Sequence, residues 1–541
     1  MHKGKVAQAL VVSLVAALAL SLAAVPARAD FDGDGYDDLA IGVPWEDVNV
    51  GSGTQNDAGM LNVLYGSSGG LSSAGDQIWH QSSSGMPDEA EGGDRFGWVL
   101  AAGDFDADGF YDLAVGVPSE DLVIGSDVLP GAGAVQVLYG TSGGLTEAGS
   151  QFWHQSVSGV KGKAESYDMF GYTLAVGDFD GDGYDDLAIG VPYEDVGDPV
   201  VADAGLVAVL YGSSSGLTGR DQIWYQGNDG LNGIAEVEDH FGLALAAGDF
   251  DADGFDDLVV GIPDEDAGSA VDSGAIHVIF GAAGGLTAAA NHVFYQGGGD
   301  EAGDLFGAAL TTGDFDGDGD MDLAVGTPGE DCGDPEETDA GAVRIFAGDP
   351  TLRMFGPIQF WHQDSPDIQG GAGADNLFGS ALAAGDLDGD GYDDLAIGVP
   401  QDYADSVANA GAVNVLYGSD SGLSAAGNQF WHQGNSSIEG AAEEGDRFGF
   451  ALAIGDLDGD GYDDLAIGVP GEDVGSIADA GAVNILYGTA TGLLTTGNQI
   501  WDQDSSGVEG VAEAGDEFGR ALAAVPRPRH RVFLPLLLRD S

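Results

Sequence analysis

One aspartate pattern, D-x-D-x-D-G-x-x-D, recurs seven times, starting at Asp30, Asp104, Asp178, Asp249, Asp314, Asp386 and Asp456. The copies lie 65 to 74 residues apart. A period of that length signals a repeat architecture, in which each unit buries its faces only against its neighbours. The unit beginning at Phe448 shows the grammar. "FGFALAIGD" (448–456) reads as a short apolar strand and is followed by the aspartate loop. "DLAIGVP" (464–470) reads as a second strand stopped by proline. "AGAVNILYG" (480–488) alternates with period two, and "NQIWDQ" (498–503) forms a fourth strand. No unit shows helical periodicity. The expected fold is all-β, a seven-bladed β-propeller of four-stranded antiparallel blades.

The "FG" dipeptides number seven too, at Phe96, Phe170, Phe241, Phe306, Phe378, Phe448 and Phe518, but they are displaced by one unit. The first aspartate loop has no FG strand before it, and "FGRALAA" (518–524) has no aspartate loop after it. The C-terminal FG strand is therefore expected to complete the first blade. That closes the ring and hides two sheet edges that would otherwise invite aggregation.

Composition narrows the setting. Acidic residues number 91 against 15 Lys plus Arg, for a formal charge of −76, which excludes a nucleic-acid partner. Apolar residues make up 43%, enough for a folded chain, and bound cations would offset its self-repulsion. Residues 1–29 carry two lysines, an apolar run from Val6 to Val25 and Ala27-Arg28-Ala29. They read as a signal peptide cleaved near Ala29, with an uncleaved anchor as the alternative. No other segment is apolar for long enough to span a membrane, so none is expected in the mature chain. The domain plan is 1–29 signal peptide, 30–525 propeller and 526–541 tail. The single cysteine, Cys332, lies between Asp331 and Gly333, where negative charge disfavours a nucleophilic thiolate.

The aspartate loops read as metal cages. Positions 1, 3 and 5 supply carboxylates: Asp30, Asp32, Asp34; Asp104, Asp106, Asp108; Asp178, Asp180, Asp182; Asp249, Asp251, Asp253; Asp314, Asp316, Asp318; Asp386, Asp388, Asp390; and Asp456, Asp458, Asp460. Position 7 offers a backbone carbonyl, from Tyr36, Phe110, Tyr184, Phe255, Asp320, Tyr392 and Tyr462. Position 9 closes each cage, with Asp38, Asp112, Asp186, Asp257, Asp322, Asp394 and Asp464. All-oxygen, anionic ligation suits Ca²⁺, up to seven ions, while the strand residue at position 12 excludes an EF-hand. Solvated Asx-turns are the competing reading, which seven complete copies disfavour. If cleavage follows Ala29, Asp30 becomes the N-terminus and its ammonium stands beside the first ion, so that site is expected to be the weakest.

The string "FGxALAxGDxDGDGYDDLAIGVP" resembles the FG-GAP repeat of the integrin α-subunit N-terminal propeller. The third element reads Gly42-Val43-Pro44 here, with Val, Ile or Thr at the middle position in later copies. The resemblance covers about residues 30–525. It implies seven blades with calcium in the loop between first and second strands, at the aspartates named above. Integrins load only some blades, whereas all seven loops look competent here. The inserted ligand-binding domain, leg domains, membrane helix and cytoplasmic tail of integrins find no counterpart, so receptor signalling does not carry over. Stand-alone proteins with this repeat include adhesins and lectins. The implied role is a secreted or cell-surface module that binds an extracellular protein or glycan.

Two further surfaces stand out. Loops 2–3 carry Glu46-Asp47, Glu120-Asp121, Glu194-Asp195, Glu265-Asp266, Glu330-Asp331 and Glu472-Asp473, with Gln401-Asp402-Tyr403 breaking the pattern. Loops 4–1 add Asp94, Asp168, Asp239, Asp304, Asp375, Asp446 and Asp516 on the same face, opposite the cages. That acidic ring reads either as a solvated rim or as a surface for a cationic partner or extra calcium. The fourth strands carry Trp79-His80-Gln81 and three similar "WHQ" triplets, whose tryptophans are expected to pack between blades. No HExxH or G-x-S-x-G motif occurs, and repetition argues against a catalytic centre, so the expectation is a non-enzyme. The alternatives are a hydrolase or lyase built on the propeller, or a passive surface scaffold. The tail, 526–541, holds four arginines and a short apolar segment, which suggests surface attachment.

Overall fold

The computed structural model describes residues 30–51, 53–297, 301–333, 337–349, 353–354, 358–435 and 437–524. The expected signal peptide and C-terminal tail lie outside the described residues.

Seven four-stranded antiparallel sheets follow one another around a ring. Blade 2 is typical: Val99–Gly103 innermost, then Asp112–Val117, Ala134–Tyr139 and Thr146–Trp153 at the rim. Blades 3 to 7 have innermost strands Thr173–Gly177, Ala244–Gly248, Ala309–Gly313, Ala381–Gly385 and Ala451–Gly455. Blade 1 is composite. Ala521–Ala523 supplies its innermost strand and Leu39–Val43, Met60–Tyr65 and Ser72–Trp79 the rest, with Ala40 opposite Ala523 and Gly42 opposite Ala521. The ring closes as the FG count requires. Short two-stranded ribbons, Val48–Val50 with Gly53–Gln55 and Leu122–Ile124 with Asp127–Leu129, decorate the 2–3 loops of blades 1 and 2. Among the described residues no helix is long and apolar enough to cross a membrane.

The core lies between blades, not within them. Val135, Val137 and Trp153 of blade 2 pack with Phe170, Leu187 and Ile189 of blade 3. Across the closure, Val483 and Ile485 of blade 7 meet Leu39, Ile41 and Leu64 of blade 1. Trp79, Trp153 and Trp224 are 8%, 8% and 6% exposed within such interblade clusters, as expected of the outer-strand tryptophans. His154, His362 and His432 each contact a ring of their own strand, as in Phe430–His432 at 5.4 Å. Burial pushes His80, His154, His362 and His432 below the ordinary imidazole value. Cys332 is also buried; burial, then Glu330 and other nearby acids, push its thiol up to about 12.

Three strand expectations need correction. The FG pairs precede the innermost strands: the strand near Phe448 is Ala451–Gly455, not 448–456. Phe448 N–H instead bonds the Ala410 carbonyl of the preceding blade at 2.9 Å, and all seven FG phenylalanines are at most 1% exposed. The alternating third strands are buried on both faces, because a neighbouring blade covers each side. Their asparagines donate across the interface, as Asn484 Nδ2 does to the Glu439 carbonyl at 2.8 Å and Asn62 and Asn414 do likewise. The fourth strand begins earlier than expected, at Leu494 instead of Asn498.

The FG glycine and the glycine of the G-x-P element explain each other. Gly97 has φ of +88°, and a Cβ on Gly42 would sit 2.2 Å from the Gly97 carbonyl oxygen. Two backbones from adjacent units touch there, and neither can retreat. Gly42→Ala is expected to cost about 1–3 kcal/mol through overpacking, read by urea denaturation. A wild-type midpoint would contradict this packing.

Candidate metal centres and binding face

The aspartate loops lead into the second strands on one face, and in blades 2 to 7 they join these to the innermost strands. The position-1 aspartate organises each turn. Asp104 accepts from Asp108 N–H and Gly109 N–H, both at 3.1 Å, and Asp178, Asp249 and Asp386 repeat the pattern within 3.0–3.1 Å. Positive φ at positions 4 and 6 allows this tight winding, as at Gly33 (73°) and Gly35 (96°).

Carboxylate oxygens converge inside the loops. Asp104, Asp106 and Asp108 come within 4.8 Å of one another, as do Asp314, Asp316 and Asp318. In three other loops the close trio uses the closing residue: Asp30, Asp32, Asp38; Asp178, Asp180, Asp186; and Asp249, Asp251, Asp257. The donors are all hard oxygens, which fits a hard divalent ion.

The closing aspartates do more than the sequence suggests. Each accepts one backbone N–H from its own loop and one from the end of the third strand. Asp112, for instance, takes Phe105 N–H and Gly140 N–H at 2.9 Å, and the seven copies span 2.8–3.1 Å. Burial, joined by the neighbouring acids, pushes Asp112, Asp186, Asp257 and Asp322 up to about 8 and Asp394 to about 9. Asp38 and Asp464 are pushed well up by the same cause. The position-7 side chains Phe110, Tyr392, Tyr462 and Tyr36 roof the preceding loop in the ring, each ring lying within 2.6 Å of where a Cβ on that loop's position-4 glycine would be. Position 8 carries a further link: Asp185 accepts Asp104 N–H at 2.8 Å, and Asp256, Asp393, Asp463 and Asp37 repeat it across other junctions.

One loop holds an internal cation. Arg220, on the outer strand of blade 3, places Nη1 2.5 Å from Asp180 and lies over the Tyr211 ring at 4.1 Å. It would compete with any metal for the position-3 carboxylate. Arg220→Ala is expected to raise the cation affinity of that loop by roughly three- to tenfold, seen as one tighter step in a calorimetric calcium titration. An unchanged isotherm would mean the arginine already moves aside without cost.

The opposite face is built from the 2–3 and 4–1 loops. Most of its acids are not a free rim. Gln155 Nε2 of blade 2 donates to Glu194 of blade 3 at 2.7 Å, and Gln81–Glu120, Gln226–Glu265, Gln433–Glu472 and Gln503–Glu46 repeat this clip at 2.6–2.8 Å. Gln296 donates likewise to Glu330. The second acid of each pair accepts a backbone N–H of its own loop, as Asp121 does from Gly131 at 2.8 Å. The 4–1 aspartates are buried too, Asp94 to 2% and Asp168 to 3% exposed. Burial, then Asp94 and Asp88, push Glu120 up to about 10. Blade 6 corrects the expected set. Asp402 keeps the clip, with Gln363 at 2.8 Å, and the register places Asn376, not Asp375, where the other units have their aspartate.

A feature missed in the sequence lies on this face. Half-buried rings form an arc across adjacent blades: Trp45–Trp98 at 5.6 Å, Trp98–Tyr172 at 5.5 Å, Tyr172–Tyr193 at 6.1 Å and Tyr193–His240 at 4.8 Å. Arg520 lies over Trp45, Trp98 and Phe450 at 4.5, 5.0 and 4.9 Å, and Arg95 over Trp45 at 5.6 Å. Trp98, Tyr172, Phe450 and Arg520 all stand two residues after an FG phenylalanine, just before the innermost strand. They therefore stand on one side of the axial channel's end, where the innermost strands begin; Leu100, Leu174, Leu245 and their repeats line its 420 Å³ cavity. At the same place blades 5 and 6 have Ala308 and Ser380. The signal in the sequence was this departure from the repeat.

Known proteins give the context. The FG-GAP repeat family model matches residues 23–61, 96–138, 170–210, 241–279, 306–346, 378–416 and 448–486. Integrin alpha-PS2 of Drosophila melanogaster is 34% identical over 243 residues, 42% of this chain and 15% of that protein. Phosphatidylinositol-glycan-specific phospholipase D of Bos taurus is 32% identical over 187 residues, 35% of this chain and 20% of that protein. The matches thus span a fifth or less of those relatives. Among solved structures, the Dos1 propeller aligns with 79% of this chain and 74% of its own at a TM-score of 0.35 and 10% identity. With seven matched units in register with seven blades, the chain belongs to the FG-GAP repeat family.

Proposed function

We propose that this protein is a secreted or cell-surface binding module, organised by Ca²⁺ in the aspartate loops, that takes an extracellular protein or glycan over the aromatic arc. The arc is the observation that carries this reading. It breaks the seven-fold repetition on one side of the channel mouth, and half-exposed aromatic rings offer large, rigid contact area to a ligand. Calcium acts at a distance. Ions in the loops fix the far ends of the innermost strands whose near ends carry Trp98 and Tyr172. The integrin relatives favour a binding role, and we read the chain as non-catalytic; similarity to the phospholipase D favours the hydrolase alternative.

The test is an array of glycans and matrix proteins probed with wild type in Ca²⁺, wild type in chelator, and Trp98→Ala. Binding in Ca²⁺ is expected to be lost on chelation and weakened at least about tenfold by the substitution. A folded protein that binds nothing, or that turns over an arrayed glycan, would overturn the reading.

A further inference from the structure

The interblade clips leave a repeated polar atom unexplained. Each clip glutamine uses Nε2 for the neighbouring glutamate, so its Oε1 needs a donor. Among the described residues, Oε1 of Gln81, Gln155, Gln226, Gln296, Gln433 and Gln503 has none. These side chains are 0–4% exposed, and a buried carbonyl without a partner is costly. The groups around it make matters worse. Beside Gln155 stand Glu194 and Asp168, two carboxyls near enough to raise each other's affinity for a proton or a cation. Glu194 already accepts Gln155 Nε2 and Asp168 accepts Glu165 N–H, but nothing donates to Gln155 Oε1.

Blade 6 supplies the internal comparison. There the aspartate is replaced by Asn376, whose Nδ2 donates to Gln363 Oε1 at 2.8 Å and to Asp402 at 3.0 Å. One amide group satisfies both acceptors. Blade 5 brings a positive charge instead: Arg344 Nη2 lies 3.6 Å from Glu330. The other five junctions have neither an amide nor an arginine in that role.

We propose that these five junctions are a second set of divalent-cation sites, on the face opposite the aspartate loops. Each is formed by the clip glutamine's Oε1, the glutamate of the next blade and the aspartate two residues before its FG phenylalanine. Asn376 and Arg344 replace the ion at the remaining two. The donor set is three hard oxygens with two negative charges, which suits Ca²⁺ or Mg²⁺ with water completing the shell. Water has access: a 430 Å³ surface cavity lined in part by Glu265 and Glu236 opens at one junction. An ion at each junction would bridge two blades and tie the 4–1 loop, which leads into the aromatic arc, to the ring.

The test counts bound metal per chain by elemental analysis, in Ca²⁺ alone and in Mg²⁺ alone, for full-length wild type, Asp168→Asn and the double variant Asn376→Asp/Asp402→Glu. Asp168→Asn copies blade 6 and is expected to bind about one ion fewer. The double variant copies the other blades and is expected to bind about one more. Whichever metal shows the change is the preferred occupant. Equal counts in all three proteins would overturn the proposal and assign a shared proton to each carboxyl pair. If Asp168→Asn fails to fold, the double variant decides alone, a gain supporting the sites and no gain overturning them. Because the readout is a difference between variants, it holds whether or not the aspartate loops are loaded and whether or not a ligand is found.

Discussion

Stopping the chain after Glu517 is expected to open the ring and abolish cooperative melting at the wild-type temperature. The deletion removes the innermost strand of blade 1, with its pairs Ala40–Ala523, Ile41–Leu522 and Gly42–Ala521. It also removes Phe518, which is 0% exposed in the core between blades 7 and 1. Losing that side chain alone, as in Phe518→Ala, should cost about 3–5 kcal/mol. The full deletion adds two unpaired strand edges and the loss of an interblade seam, so aggregation should accompany unfolding. A chain ending at Ala524 is the control. It drops the tail, keeps the strand, and is expected to melt like full length. If the chain ending at Glu517 also melts like full length, the closure contributes nothing and its account is wrong.

Calcium should set the second large effect. At a free concentration 100 times its Kd, an ion that binds only the folded state adds about 2.7 kcal/mol per site. Chelation should therefore lower the thermal midpoint strongly, and Ca²⁺ should restore it. The closing aspartates give the effect a pH signature. Without metal, burial raises Asp112, Asp186, Asp257 and Asp322 from 3.8 to about 8. Between those values the folded state holds more protons than the unfolded one, so stability of the chelated protein falls as pH rises. Calcium competes with those protons, so its stabilising increment grows over the same interval. Scanning calorimetry from about pH 4 to about pH 8, with and without Ca²⁺, checks both slopes. A calcium increment that is flat in pH would contradict the placement of the ion among these carboxyls.

What could be read from the sequence follows a physical line. The seven blades and the closure were legible because they rest on counting motifs, and the displaced count of FG pairs against aspartate loops has one topological meaning. The cages were legible because their carboxylates sit within nine residues. Contacts that join distant residues were not. Asp38 holds Gly66 N–H from 28 residues away, and Gln81 clips Glu120 from 39 away. Only the folded ring shows that Asp402 and Asn376 changed together at one junction. The strand ends shifted because FG residues bond the preceding blade before their own strand begins. The aromatic arc escaped for the opposite reason. Reading a repeat means averaging its copies, and Trp98, Tyr172 and Arg520 matter because their copies differ.

The most direct measurement of the central claim is an anomalous-difference map from crystals of the protein grown with Ca²⁺. An ion is expected inside the aspartate loops, for instance among Asp104, Asp106 and Asp108, with carboxylate oxygens at about 2.3–2.6 Å. Loops that hold only water, in a protein whose ring is closed and whose melting ignores chelator, would contradict it.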